Sequence, residues 1–183
     1  EVFNVRDLIG NTMELANSFN KSKNVTLNAH IDSSVPEYIY SDPKRIKQIL
    51  INLLENALQH TQQGEIFVYL TSTIINLALE DSLLASSNVS YTSDFQYIIK
   101  FAVRDSGPGI DLKYKADLFK PAELLINTKQ QGLSLRISYL LANALNGNLQ
   151  LISSNIGIGS CFEFTLIACE EEPPVQYSNT LKN

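Results

Sequence analysis

The stretch from Asp42 to Thr61, DPKRIKQILINLLENALQHT, constrains the fold of this chain more than any other. Asp42 is a favoured N-cap residue, and Pro43 has the fixed φ that suits the first helical position, where an N–H group has no partner. Apolar residues then recur at helical spacing, at Ile46, Ile49, Leu50, Leu53, Leu54 and Ala57. The stretch therefore predicts an amphipathic helix with a broad buried face.

The opposite side of this predicted helix carries amides where a solvated helix normally carries lysine and glutamate. At about 100° per residue, one narrow stripe contains Arg45, Gln48, Asn52, Asn56 and Gln59. An amide can both donate and accept hydrogen bonds, and an asparagine oxygen can ligate a hard cation. Two interpretations stay open from this stretch alone: the wall of a ligand cavity, and an ordinary amphipathic helix with some exposed amides.

Composition limits the classes of function. The chain has 183 residues, 44% of them hydrophobic, which suits one globular domain with short appendages at most. The net charge is −5 and the 14 basic residues are scattered, which argues against a nucleic-acid surface or a polybasic membrane anchor. We expect no secretory leader before Glu1, and no apolar run approaches the roughly 20 residues that span a membrane. These features predict a cytoplasmic chain that does not itself contact a membrane, whether or not its parent protein is membrane-bound.

The two cysteines are expected to be free thiols. Cys161 and Cys169 lie on one predicted strand, more than about 20 Å apart when that strand is extended. This separation is too large for a disulfide between them. A reducing compartment is the simple interpretation.

The remaining chain alternates segments with strand-like and helical patterns. Helices are predicted over 4–20, 42–61 and 133–146, and strands over 25–31, 37–40, 65–73, 95–104, 148–154 and 160–168. The order helix, two strands, helix, long hairpin, loop, helix, hairpin predicts one mixed sheet with helices on a single face.

An acidic, glycine-rich turn ends the most apolar predicted strand. Asp105-Ser-Gly-Pro-Gly109 follows FQYIIKFAVR directly. An aspartate there can accept a hydrogen bond from an exocyclic amine, and Gly107 and Gly109 let the backbone approach a flat ligand closely. An ordinary strand exit remains the alternative, because such exits often carry Asp and Gly.

A second glycine opens the predicted helix over 133–146. Gly132 at a helix N-terminus would free backbone N–H groups to hold phosphate oxygens. The loop before it carries Lys113, Lys115, Lys120 and Lys129, as expected of a lid over a polyphosphate. A permissive helix start and an ordinary basic surface loop explain the same residues equally well.

In this order and spacing, the motifs resemble those of the ATP-binding catalytic domain of sensor histidine kinases. The superfamily also contains type II topoisomerases, the ninety-kilodalton heat-shock chaperone and the mismatch-repair ATPases. Residues 52–57 are similar to its N box, 105–110 to its first glycine box, 118–121 to its F box, 132–135 to its second glycine box and 157–162 to its closing strand motif. The lead-in over 35–48 is especially similar to hybrid sensor kinases.

The resemblance implies a fold and an ATP site. The fold would be a Bergerat-type α/β two-layer sandwich, a mixed, mostly antiparallel sheet covered on one face by three helices. Asn56 would coordinate the Mg²⁺ that bridges the phosphates of ATP, Asn52 would support that site, and Asp105 would accept the adenine amino group. The ATP-contacting positions implied by the resemblance are Asn52, Asn56, Gln59, His60, Asp105, Gly107, Gly109, Ile110, Phe119, Lys129, Gly132, Leu133, Ser134 and Ser160.

The residue at position 52 bears on the type of reaction. The hydrolases of this superfamily carry a glutamate one helical turn before the magnesium asparagine, where it acts as the base for water. Asn52 is an amide and cannot take a proton. Transfer of the phosphoryl group to another protein group is therefore favoured over hydrolysis.

The resemblance also implies a domain layout. Residues 1–20 would be the exit from a preceding dimerisation and phosphoacceptor region, and 21–169 the ATP-binding catalytic domain. Within that domain we expect an insertion or long hairpin at about 74–94 and an ATP lid at about 111–131. Residues 170–183, which are acidic and polar, would be a flexible tail or linker.

The implied partners lie outside this chain. The phosphoaccepting histidine of such kinases lies on a preceding two-helix dimerisation domain, and residues 1–20 contain no histidine. The acceptor would come from the protein's own or a partner's phosphoacceptor domain, and a response-regulator receiver domain would follow. The full-length protein would be a homodimer, and nucleic acid is not expected among its partners.

Two departures from the family pattern keep a second function open. Many kinases have Lys or Arg where this chain has Gln59, and an aromatic residue where it has His60. The usual G-x-G-L-G-L of the second glycine box is replaced by a sequence in which Ser134 occupies a glycine position. Hydrogen bonds from Gln59 and Ser134 to phosphate would partly compensate. The alternative function is a degenerate, weakly catalytic or non-catalytic nucleotide-binding regulatory module.

Overall fold

The computed structural model describes residues 1–21, 24–76, 95–119 and 133–174. Nearly all of the predicted insertion at 74–94 lies outside these ranges. So do Lys129 and Gly132, the second half of the predicted lid, and the end of the predicted tail.

The described chain forms strands and helices in the following order. They are β1 (Val2–Asn4), α1 (Val5–Phe19), β2 (Val25–Ile31), β3 (Tyr38–Tyr40), α2 (Pro43–His60), β4 (Gly64–Asn76), β5 (Phe95–Asp105), a 3-10 helix (Leu112–Asp117), α3 (Leu133–Ala144), β6 (Asn148–Asn155) and β7 (Gly159–Glu170). Apart from β1 and the 3-10 helix, each of these elements lies where a helix or strand was predicted.

Within the described ranges the strands form one seven-stranded sheet in the order β1-β3-β7-β5-β4-β2, with β6 also paired to β7. β2 and β4 run parallel, and every other described pair is antiparallel. The predicted mixed, mostly antiparallel sheet is confirmed. β1 was not predicted, because three residues are too few to show a period; its position is decided by pairing with β3.

One face of the sheet is buried under the helices. Alternate residues of the central strands β4, β5 and β7 supply this face, and on β4 these are Ile66, Val68 and Leu70. In the centre the rings of Phe101 and Phe164 stack with centroids 4.5 Å apart. The apolar face of α2 is buried on the same side, which confirms the predicted two-layer arrangement.

The ends of α2 follow from local sequence. The Asp42 side chain accepts a hydrogen bond from the Arg45 backbone N–H at 3.0 Å, and Pro43 is the first helical residue. At the other end the Thr61 N–H donates to the Ala57 carbonyl at 2.9 Å. The N-cap and proline therefore act as the sequence predicts.

The first helix belongs to the same packed unit. Val5, Ile9 and Ala16 of α1 are buried in the common core. That residues 1–20 are the exit from a preceding dimerisation and phosphoacceptor region stays a prediction. In the part of the chain that the structure describes, no helix is long and apolar enough to cross a membrane. Cys161 and Cys169 both lie on β7 as free thiols.

Candidate functional site

Asn52 and Asn56 of α2 face α3. Asn52 is buried, and its Nδ2 donates to Ser138 Oγ at 2.9 Å and to the Ser134 carbonyl at 3.4 Å. Its Oδ1 accepts from Gln48 Nε2 at 2.8 Å. An ordinary exposed amide stripe does not account for these contacts, because the central member of the stripe is buried and bonded to another helix.

Asn56 lies one turn further along α2 and is half-buried. Its Nδ2 lies 3.4 Å from Ser134 Oγ, which leaves Oδ1 as the atom suited to a hard cation. Among the described residues there is no group of three or more His, Cys, Asp or Glu side chains able to hold a metal ion. A single amide oxygen suits Mg²⁺, which proteins often bind through one or two ligands together with substrate phosphates and water.

Asp105 lies at the end of β5 and is half-buried. Its Oδ1 accepts from the Gly107 N–H at 2.8 Å and from the Ser160 N–H at 3.3 Å. Burial raises the pKa of the Asp105 carboxyl, and these two backbone donors and the nearby His60 only partly offset that effect. The carboxylate is therefore a fixed acceptor held in a poorly solvated position.

The turn after Asp105 is attached to the β6–β7 hairpin. The Ile110 N–H donates to Ser154 Oγ at 2.6 Å, and Ser154 Oγ lies 2.9 Å from Ser160 Oγ. Gly109 has φ 75°, and a Cβ there would lie 2.2 Å from the Asn155 carbonyl oxygen. Only glycine fits this close approach in a left-handed conformation.

The end of α2 joins the two groups of candidate residues. Asn52 lies near the middle of the helix and Asn56 lies one turn further along. The last carbonyl of the helix, from His60, lies beside Gly107: a Cβ on Gly107 would be 3.3 Å from it. One helix thus passes from the amide pair at α3 to the glycine turn at Asp105.

Other predicted positions lie around these groups. Gln59 and His60 are exposed, and Gln59 lines a groove together with residues at the end of α1, among them Phe19. The Phe119 carbonyl accepts from Arg136 Nη1 at 2.8 Å, and Leu133 is an exposed first residue of α3. Lys129 and Gly132 lie outside the described residues, and their roles stay predictions.

Three polar residues lie in this region of the structure although no sequence motif singled them out. Ser138 bonds to Asn52, and Ser154 links Ile110 to Ser160. Thr61 has a buried hydroxyl without a hydrogen-bond partner in the described ranges. Only Ser138 carries a signal in the sequence: it lies one helical turn after Ser134 in the predicted helix over 133–146.

Comparisons with known proteins give one consistent result. A family model described as histidine kinase-, DNA gyrase B- and HSP90-like ATPase matches residues 41–168. The chain is 30% identical over 169 residues to hybrid signal transduction histidine kinase B of Dictyostelium discoideum, covering 90% of this chain and 8% of that protein. It is 32% identical over 163 residues to sensor protein TorS of Escherichia coli K12, covering 88% of this chain and 15% of that one. The chain thus spans only a small part of these relatives.

Solved structures share the fold. The catalytic domain of histidine kinase ThkA, in a nucleotide-free form, matches with a TM-score of 0.63 and 25% identity, over 91% of this chain and 93% of that one. Full-length ShkA in complex with AMPPNP matches with a TM-score of 0.70 and 22% identity, over 96% of this chain and 33% of that one.

Proposed function

The chain belongs to the histidine kinase-, DNA gyrase B- and HSP90-like ATPase family, and from this we propose that it is the Mg-ATP-binding catalytic domain of a sensor histidine kinase. It would pass the γ-phosphoryl group of ATP to a histidine that lies outside residues 1–183. The observation that carries this proposal is the arrangement along α2, with the Asn56 amide about one turn before its end and the Asp105 turn at its end.

Each end of this arrangement has its own chemistry. Asp105, held by two backbone N–H groups, would accept a hydrogen bond from the exocyclic amine of adenine. Asn56 would ligate Mg²⁺ through Oδ1, and the ion would neutralise charge on the phosphates during transfer. Asn52 has no carboxylate to take a proton from water, and both ends of its amide are bonded within the protein, which supports transfer over hydrolysis.

The partners belong to the same proposal. The Dictyostelium relative is a hybrid signal transduction histidine kinase, which supports a phosphoacceptor domain and a response-regulator receiver domain as partners. We propose further that the full-length protein is a homodimer, that this part of it is cytoplasmic, and that the segment 111–131 is the ATP lid.

The first test is the magnesium dependence of ATP binding. We expect the chain to bind ATP with Mg²⁺ and to lose most of that affinity in EDTA. Asn56→Ala should weaken Mg-ATP binding by about 10- to 100-fold, because metal affinity depends strongly on the residues that ligate the ion and orient its ligands. Isothermal titration calorimetry measures both effects.

The matched control for Asn56→Ala is Asn28→Ala, which removes an exposed amide from β2. Its affinity for Mg-ATP should equal that of the wild type. Equal affinities for the wild type and Asn56→Ala would contradict the proposed role of Asn56.

The second candidate function is a regulatory nucleotide-binding module without transfer. Gln59 carries no charge where kinases often have a cation, and the Ser134 hydroxyl contacts Asn56 inside the protein. A phosphotransfer assay on the full-length protein separates the two functions, since nucleotide binding without phosphohistidine supports only the module.

Gln59→Lys tests whether the missing cation limits affinity. We expect Mg-ATP binding to tighten by about threefold, the modest gain of an exposed ion pair. Asn28→Lys adds the same charge on β2 and controls for net charge. If Gln59→Lys and the wild type bind Mg-ATP equally tightly, Gln59 does not limit affinity.

A further inference from the structure

Four residues form a polar connection between α2 and α3. They are linked in the order Gln48, Asn52, Ser138 and Ser134, at 2.8 Å, 2.9 Å and 2.9 Å. Asn52 is 8% exposed and Ser138 is fully buried. Burying such groups costs free energy unless every one is hydrogen-bonded, so their presence in the core requires a reason.

The direction of these hydrogen bonds is determined by a backbone carbonyl. The Ser134 carbonyl oxygen can only accept, so the Ser138 hydroxyl must donate to it. The Ser138 oxygen is then an acceptor, and Asn52 must present Nδ2 to it. Asn52 Oδ1 consequently faces Gln48, which must donate through Nε2. The orientation of the Asn52 amide thus follows from the network.

The same turn of α3 contacts the Asn56 side chain. Ser134 lies in the first turn of α3; its carbonyl is held by Ser138 and Asn52, and its Oγ lies 3.4 Å from Asn56 Nδ2. Whatever fixes Ser134 therefore fixes the group that orients the Asn56 amide.

We propose that Asn52 and Ser138 are positioning residues that hold the first turn of α3 against the Asn56 side of α2. This inference rests on the proposed function, in which the Asn56 side of the site binds the phosphates and Asp105 binds the base. In this role Asn52 acts through α3 and not as a ligand of the nucleotide or the metal.

The directionality makes a carboxylate the informative substitution. Asn52→Asp keeps the shape of the side chain but replaces the Nδ2 donor by an acceptor. That oxygen would face the Ser134 carbonyl, now 3.4 Å from Nδ2, and would compete for the Ser138 proton. Ser138→Ala provides a milder, uncharged break at the next link.

The experiment compares Mg-ATP with adenosine on the whole chain, using calorimetry for Mg-ATP and an NMR titration for adenosine. In both variants we expect the Kd for Mg-ATP to rise about 10-fold or more, as for other residues that orient a metal ligand. The Kd for adenosine should stay within about twofold, because no contact at Asp105 changes. Thr12→Val, which removes a buried hydroxyl from α1, should leave both constants unchanged.

The outcomes distinguish the two proposals. Equal weakening of both ligands, or unchanged Mg-ATP binding, in folded variants overturns the positioning role alone. If circular dichroism shows that Asn52→Asp does not fold, the Kd values of Ser138→Ala for Mg-ATP and adenosine test the positioning role by the same criteria. A wild-type chain that binds no Mg-ATP overturns the proposed function and the positioning role with it.

Discussion

Asp105→Asn is expected to weaken ATP binding roughly 100-fold while leaving the protein at least as stable as the wild type at neutral pH. The Gly107 and Ser160 N–H groups both need an acceptor and would hold the asparagine Oδ1. The remaining Nδ2 would then direct a donor at the exocyclic amine of adenine, which is also a donor. Losing a charge-assisted bond and creating this mismatch should cost about 3 kcal/mol, or roughly 100-fold in Kd.

The expected stability of Asp105→Asn follows from the raised pKa of the Asp105 carboxyl. Burial raises this pKa in the folded protein above the ordinary value of 3.8. The wild type is therefore favoured by the protonated carboxyl below pH 3.8, and it loses that stability as the pH rises through the raised pKa. Asparagine does not ionise. As the pH rises from 3.8 through the raised pKa, the free energy of unfolding of the variant should therefore increase relative to that of the wild type, and the difference should persist at higher pH.

Urea unfolding at several pH values measures the stability of the Asp105→Asn variant, and calorimetry at neutral pH measures its affinity for ATP. Asp111→Asn is the control of opposite sign. In the wild type, the bond from Lys113 to the Asp111 side chain lowers the pKa of that carboxyl, so the free energy of unfolding of the wild type should rise relative to that of the variant as the pH increases. An Asp105→Asn variant that still binds ATP as tightly as the wild type would refute the assignment of the base site.

Gly159→Ala is expected to destabilise the fold by about 3 kcal/mol or more. Gly159 has φ 127°, and a Cβ there would lie 1.9 Å from the backbone carbonyl oxygen of Asp105. The contact is with backbone, so β5 and β7 must separate where they meet. We also expect weaker ATP binding, because the displaced strand end carries the Asp105 carboxylate.

The matched control is Gly157→Ala in the same hairpin. Gly157 also has a positive φ, 77°, but a Cβ there meets nothing within 4 Å. It should therefore cost only the conformational strain of about 1–2 kcal/mol. Chemical denaturation measures both, and equal losses for the two variants would show that the contact with Asp105 does not matter.

Local sequence was sufficient for much of the fold. Asp42 and Pro43 start α2, and its apolar period selects the buried face, because capping and helical periodicity involve only neighbouring residues. The turn after Asp105 was likewise recognisable from its glycines. β1 was missed because three residues have no period, and its pairing with β3 is a contact between distant segments.

The contacts inside the candidate site were less predictable. The stripe on α2 correctly grouped Asn52 with Asn56, but the helical period gives no information on what faces the stripe. Gln59 shares that stripe by angle, yet it lies exposed beside the end of α1, because the neighbours of α2 change along its length. Its role at the phosphates stays a prediction, as do the other nucleotide contacts.

By itself the sequence determined the helices, most strands, the family motifs and the side-chain types available for binding a nucleotide, since all of these depend on short-range patterns. Only the tertiary structure decided that Asn52 reaches Ser138, 86 positions away, and that Ser134 meets Asn56. Such contacts depend on how α3 packs against α2. That packing minimises the free energy of the whole core, which no local pattern of residues encodes.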